Sequence, residues 1–238
     1  MLITSPHNET LKEIRRLTAR RRERETLGRF VAEGEDLLAA AQEAGWSPLH
    51  RLVAAGSGLE GTEVTPELLA GVSGLGSGTR ALGVYETRWA PAPAGPVCVY
   101  LHGVGDPGNV GTILRACEAF GASCLALGPG SADPFGPKAV RASMGAIFTV
   151  PVVRCELGDL PGTTIALDAG GHWPSTGHMS LQMDTDVSLL VGTERQGLPE
   201  GVLAAVDRVV RIPIRNHSLN AAMAATVALY ELTSRDAS

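Results

Sequence analysis

The stretch Val97-Cys-Val-Tyr-Leu-His-Gly-Val-Gly-Asp-Pro-Gly-Asn-Val-Gly-Thr-Ile-Leu-Arg-Ala-Cys-Glu-Ala-Phe-Gly-Ala-Ser-Cys-Leu-Ala-Leu127 decides the fold. Val97 to Leu101 is an unbroken apolar run. Val110, Ile113, Leu114, Cys117 and Phe120 then recur at helical spacing, a single apolar stripe on a helix over 109–121. Ser123 to Leu127 is a second strand. Strand, glycine loop, helix and strand make a βαβ unit, and fully apolar strands of this kind belong to a mostly parallel sheet covered on both faces. Gly103-Val-Gly105-Asp-Pro-Gly108 also satisfies the dinucleotide fingerprint G-x-G-x-x-G. That fingerprint needs a carboxylate at the end of the second strand to hold a ribose. Here the strand ends Leu125-Ala-Leu-Gly-Pro129, with no acid. A nicotinamide enzyme is thus half supported, and a plain glycine turn fits as well.

Arg115 lies off the apolar stripe, about 140° round from Val110, on the face of Gly111. There it can reach a phosphate held over the loop. Its bland alternative is a solvent-facing Arg paired with Glu118 at i,i+3.

Beyond this unit the alternation continues. Pro137 to Met144 reads as a short helix, Phe148 to Val152, Thr163 to Leu167 and Val187 to Val191 as strands, Pro199 to Val206 as a helix, Arg208 to Ile214 as a strand and Ser218 to Leu232 as a last helix with Ser218 as its cap. Upstream, Trp89-Ala-Pro-Ala-Pro-Ala-Gly-Pro96 is a linker, because its prolines can continue neither a helix nor a central strand. It divides a smaller unit, 1–88, from a larger one, 97–238.

The smaller unit is α/β in pattern and carries the charge asymmetry. The chain has 238 residues and a net charge of −5, which taken whole disfavours a nucleic-acid partner. Leu11 to Phe30, however, holds eight basic residues, among them Lys12, Arg20, Arg21, Arg22 and Arg24, against three acidic ones. That segment is +5, so the remainder is −10. Leu11, Ile14 and Leu17 give it a helix with a basic outer face. A hydrophobic content of 44% excludes wholesale disorder. Aromatics are only 4%, so Ala, Val, Leu and Ile should build the core. The four cysteines form no C-x-x-C pair and no His stands at zinc spacing, so they read as reduced core thiols of a cytoplasmic protein, with no metal expected. No leader pattern opens the chain, and no apolar run approaches the roughly 20 residues of a membrane span.

Two further segments join Arg115. Gly192-Thr-Glu-Arg-Gln-Gly-Leu198 follows a buried strand, and Ile212-Pro-Ile-Arg-Asn-His-Ser-Leu-Asn220 leads into an Ala-rich helix. Together the three segments resemble the motifs of the SpoU (TrmH-type) branch of the SPOUT RNA methyltransferases. The likeness is carried by Asn109, Gly111, Arg115 and Phe120-Gly121, then Gly192, Glu194, Gly197 and Leu198, then Ile212-Pro213 and Ser218-Leu219-Asn220. Residues 138–145 also resemble the family's segment between motifs. The N-terminal unit resembles the ribosomal-protein-like RNA-binding domain that often precedes this catalytic domain, through Asn8, Lys12, Arg24, Phe30 and Glu33-Gly34.

The resemblance implies a deep trefoil knot, an exception to the rule against threaded chains. It implies methyl transfer from S-adenosylmethionine to a ribose 2′-hydroxyl of structured RNA, with large-subunit ribosomal RNA favoured over transfer RNA. The donor is expected on Gly192, Ile212 and Leu219. Arg115, Asn109, Glu194, Ser218 and Asn220 are expected to carry catalysis, with Arg115 as proton acceptor or as phosphate clamp. RNA is expected on Lys12, Arg20, Arg21, Arg22 and Arg24. A homodimer with the last helix in its interface completes the expectation. One departure stands out: between Ile214 and Ser218 the loop is only Arg215-Asn-His217, shorter than is usual in the family. It keeps open a non-catalytic RNA-binding or assembly factor that retains the fold.

Overall fold

The computed structural model describes residues 2–74, 78–172, 186–193, 196–215 and 219–233. The chain builds two sheets. The first holds β1 (Leu2–Ile3), β2 (Arg29–Glu33), β3 (His50–Ala54), β4 (Thr62–Val64) and β5 (Ala81–Glu86) in the order β1-β4-β3-β5-β2. It is mixed: β5 runs antiparallel to both β2 and β3, while β4 is parallel to β1 and β3. Helix α1 (Glu9–Ala19) starts at Asn8, whose side chain accepts from the Thr10 and Leu11 amides. Leu11, Ile14 and Leu17 are fully buried, so the expected apolar stripe faces the sheet and the basic residues face out. Arg20 is extended and interrupts the helix, and α2 (Arg21–Leu27) follows, ended by left-handed Gly28. Helices α3 (Glu35–Glu43) and α4 (Pro66–Ala70) complete this unit.

The second sheet is parallel throughout. Its strands are β6 (Val97–Leu101), β7 (Cys124–Leu127), β8 (Val152–Arg154), β9 (Thr163–Leu167), β10 (Val187–Val191) and β11 (Arg208–Val210), in the order β11-β9-β10-β6-β7-β8. Every residue of β6, β7 and β10 is buried, as the apolar runs require. Helices α5 (Pro107–Ala119), α6 (Pro137–Ala142), α7 (Glu200–Leu203) and α8 (Ala221–Thr233) connect or cover it. The chain runs from β6 outward to β8, then returns to the other side of β6, so the strand order reverses between β6 and β10. Beyond β11 at the sheet edge, α8 packs on α5 and β10.

Three elements differ from the sequence reading. Residues 146–148 form a 3-10 turn and the strand begins only at Val152, because Phe148 is drawn into a ring cluster and Pro151 has no amide for the ladder. The strand expected over 208–214 stops at Val210, ahead of Pro213. The helix expected over 199–206 is limited to α7.

Aromatic rings are scarce, and they are concentrated where the two sheets' units meet. Phe30 lies 5.0 Å from Phe135 and 5.9 Å from Phe148, Tyr85 5.2 Å from Phe148, and Trp89 5.1 Å from Phe135. Trp46 Nε1 donates to the Phe148 carbonyl at 2.8 Å. Two ion pairs flank the rings: Arg24 Nε with Asp133 Oδ2 at 2.7 Å, and Arg141 with Glu33 at 3.5 Å. Ring packing of this kind fixes one unit's orientation on the other.

Candidate active site

At the start of α5, Asp106 is the helix cap. Its Oδ1 accepts from the Gly108 and Asn109 amides at 2.6 and 3.2 Å, and Pro107 fills the first turn, where its missing N–H costs nothing. Lys138 Nζ, from α6, donates to both Asp106 carboxylate oxygens at 3.1 and 2.9 Å. The Lys138 hydrogen bond, with help from the two amides, holds the Asp106 carboxyl below its ordinary range. Asp-Pro ahead of an apolar stripe is a helix-start signal, and it places the start two residues before Asn109.

Gly111 has a role other than the expected one. A Cβ there would lie 2.2 Å from the Ala139 carbonyl oxygen and 2.7 Å from the Ala142 Cβ, so glycine lets α6 pack against α5. Arg115, one turn on, is exposed. Its pairing with Glu118 does not form; Glu118 instead accepts from the Thr149 hydroxyl. Among the described residues the Arg115 guanidinium has no hydrogen bond or ion pair.

The first and third motifs meet directly. Asn220 Nδ2 donates to Asn109 Oδ1 at 3.0 Å across 111 residues of sequence. Asn220 Oδ1 accepts from the Ala222 and Met223 amides at 3.0 and 3.3 Å, so Asn220 caps α8. One side chain thus fixes the last helix and holds the asparagine that opens α5.

The second motif follows β10. Thr193 and Gly197 exchange backbone hydrogen bonds at 3.1 and 3.0 Å, closing a small loop. A Cβ on Gly192 would lie 2.5 Å from the Gly197 carbonyl, so the loop closing on itself requires this glycine before any ligand does. Thr193 packs on Gly103 of the loop after β6. These loops stand at the carboxyl ends of β6 and β10, where the strand order reverses and open α/β sheets bind ligands. Leu219 and Ile212 are half-buried. The peptide groups of residues 211–215 make no backbone hydrogen bond among the described residues. Glu194 and Ser218 lie outside the described residues.

Of the basic residues, Arg24 is corrected. Its side chain is 9% exposed, donating to Asp133 and, through Nη1, to the Leu17 carbonyl, so it joins the two units and does not face RNA. Lys12 and Arg21 are exposed and pair with Glu9 and Glu25. Arg20 and Arg22 are exposed and have no partner among the described residues. Among the described residues no group of His, Cys, Asp and Glu could hold a metal.

A profile of the SpoU rRNA methylase family matches residues 96–230, and one of the MRM3-like substrate-binding domain matches residues 8–75. The chain is 26% identical to a 23S rRNA (guanosine(2553)-2′-O)-methyltransferase, RlmP, of Bacillus subtilis over 97% of this chain and 98% of that one. It is 35% identical to a 23S rRNA (uridine(2479)-2′-O)-methyltransferase of Streptomyces viridochromogenes, over 53% of this chain and 48% of that one. The crystal structure of an AdoMet-bound rRNA methyltransferase from Sinorhizobium meliloti superposes with a TM-score of 0.87 at 30% identity, covering 100% of this chain and 98% of that one. That of the SpoU methyltransferase AviRb from Streptomyces viridochromogenes, in complex with AdoMet, has a TM-score of 0.83 at 25% identity, covering 98% and 99%. With the first and third motifs joined beside a parallel sheet and a family profile covering residues 96–230, more than half of the chain, the chain belongs to the SpoU rRNA methylase family.

Proposed function

We propose that this protein is an S-adenosylmethionine-dependent RNA 2′-O-ribose methyltransferase acting on large-subunit ribosomal RNA. The observation that carries the reading is the Asn220–Asn109 hydrogen bond, which joins the family's first and third motifs at the reversal point of the sheet. Full-length relatives named as 23S rRNA 2′-O-methyltransferases support the substrate class. When bound, S-adenosylmethionine supplies an electrophilic methyl group.

The chain's own task is to present a ribose hydroxyl in line with that methyl. The Arg115 guanidinium offers N–H donors and no acceptor. Its role in this reading is to clamp the phosphate next to the target ribose and to polarise the 2′-hydroxyl. Asn109 and Asn220 fix the loop edges around it. Glu194 and Ser218 are carried by the resemblance as the remaining polar groups. The donor rests on the loop at Gly192 and on the backbone near Ile212 and Leu219.

Residues 1–88 form the RNA-holding unit in this proposal, joined through 89–96 to the methyltransferase unit at 97–238. Lys12, Arg20, Arg21 and Arg22 present its basic face. The working form is a homodimer. Met223, Val227 and Tyr230 recur on one side of α8 at 59%, 38% and 55% exposure, an apolar stripe facing outward that a second copy would cover. The cellular setting is the cytoplasm, in keeping with four free cysteines; no helix among the described residues is long and apolar enough to cross a membrane. Calorimetric titration with S-adenosylmethionine tests the reading. Saturable binding is expected, and its absence at high ligand concentration would leave a non-catalytic RNA-binding factor.

A further inference from the structure

A second concave site stands beside the catalytic loop. It is a groove of about 560 Å³ between the two units, lined by Arg21 of α2, the Gly128–Ser131 loop after β7, and Arg154, Glu156 and Asp159 at and beyond the end of β8. Its floor is tied to the loop that opens α5: the Gly103 amide donates to the Pro129 carbonyl at 2.9 Å, and the Ala132 amide to the Val104 carbonyl at 2.9 Å. None of the three family motifs contributes to it.

The groove's charges are arranged in two groups. Behind the basic lining residues, Glu25 Oε1 accepts from both Arg21 Nε, at 3.0 Å, and Arg154 Nη2, at 2.8 Å. The Arg154 guanidinium also lies 4.2 Å over the Trp89 ring. It is therefore held flat by an aromatic face and a carboxylate, while 48% of its side chain stays exposed. A planar guanidinium held in this way is a platform for a base. The acidic lining residues, Glu156 and Asp159, cap one 3-10 turn reciprocally, the Glu156 amide donating to Asp159 Oδ2 at 3.0 Å. Each carboxylate keeps an oxygen free among the described residues. A site for bare phosphate would not carry two carboxylates. A nucleotide suits both groups, because it has an anionic phosphate, a flat base and an edge of N–H donors.

We propose that this groove holds an unpaired guanine nucleotide of the RNA, distinct from the methylated one: its base stacks on Arg154, its N1–H and N2–H donors face Glu156 and Asp159, and its phosphate lies toward Arg21. Guanine is favoured because it alone presents two adjacent donors on its pairing edge, which a carboxylate accepts together. The groove then reads sequence beside the reacting ribose, and the RNA's register is set at the junction of the two units. The inference rests on the RNA methyltransferase reading.

The test has two arms on the full chain. In the first, guanosine and uridine 5′-monophosphates are titrated and followed by amide NMR. Guanosine monophosphate should shift the amides of Gly128, Gly130 and Cys155 and bind about tenfold more tightly than uridine monophosphate, the scale of one bidentate base contact. Asp159→Asn should erase that preference, and Arg154→Glu should abolish the shifts. An unchanged affinity for S-adenosylmethionine reports that each variant is folded. In the second arm, both variants should raise the KM for ribosomal RNA about tenfold, for the same lost contact. The proposal is overturned if neither nucleotide shifts those amides, if both bind equally, or if both variants keep the wild-type KM. If the unaltered protein methylates no RNA, the enzyme reading fails, and the mononucleotide arm still judges the groove.

Discussion

At the scale of single residues, family likeness and physical role separate. Asn8, Lys12, Arg24, Phe30 and Glu33-Gly34 carry the resemblance of the N-terminal unit. In the structure Lys12 is exposed beside Glu9, but Asn8 caps α1, Arg24 is buried against Asp133, Phe30 sits among rings, and Glu33 accepts from Ser73, Thr79 and the Gly74 amide and pairs with Arg141. Asn8, Arg24, Phe30 and Glu33 thus serve the protein's own packing and hydrogen bonding. The sequence pattern marks them because the fold needs them, and spacing alone does not tell a buried Arg from an exposed one. Gly111 and Gly192 teach the same lesson: each glycine makes room for protein before ligand. Asp106, by contrast, is legible as a cap, since Asp-Pro stands directly ahead of the apolar stripe. Replacing it with Ala should cost about 1 kcal/mol of stability in denaturant unfolding, the usual value of a lost cap. Because the Asp106 carboxyl titrates below its ordinary range, its contribution should be complete above that range and vanish as pH falls through the lowered value. A pH-independent effect of the substitution would contradict the role.

At the scale of elements, the long apolar strands were the most legible part. The sequence runs at β6, β7 and β10 are buried end to end, and the stripe over 109–121 is α5. What failed was decided by partners distant in sequence. Phe148 left its expected strand for rings of the N-terminal unit, and β4 and β5, with few apolar residues or a weak alternation, exist through their pairing with β3. The surface elements carry two predictions. Charge reversal at Arg20 and Arg22 should weaken RNA binding most at low salt and reduce the salt slope by roughly one per residue; a salt-independent loss would point to unfolding. On α8, Tyr230→Asp places a charge in the outward apolar stripe. Analytical ultracentrifugation should then show a monomer where the unaltered chain sediments as a dimer, and an unaltered monomer would remove the dimer from the account.

At the scale of the whole molecule, the Pro-rich segment at 89–96 reads as a boundary, yet one apolar cluster runs from Phe30, Trp46 and Tyr85 through Phe135 and Phe148 to the core of the parallel sheet. Composition predicted a core poor in rings, and most of it is; the few rings serve as the fastening between units. The basic face of the N-terminal unit is accordingly fixed relative to the parallel sheet, and the distance between them is set by packing. Arg24→Ala should therefore destabilise the protein by about 3–5 kcal/mol, since it leaves Asp133 buried without its partner, and thermal unfolding should show both units losing structure together. Independent melting of the N-terminal unit would contradict a shared core.

Arg115, exposed on α5, is proposed to act on a ribose of ribosomal RNA. Mapping 2′-O-methylation across large-subunit ribosomal RNA, after incubation with S-adenosylmethionine and either the unaltered protein or Arg115→Ala, tests it most directly. A new methylated ribose is expected with the unaltered protein and none with Arg115→Ala, while the variant still binds the donor. No new mark from the unaltered protein, or an undiminished mark from the variant, would contradict it.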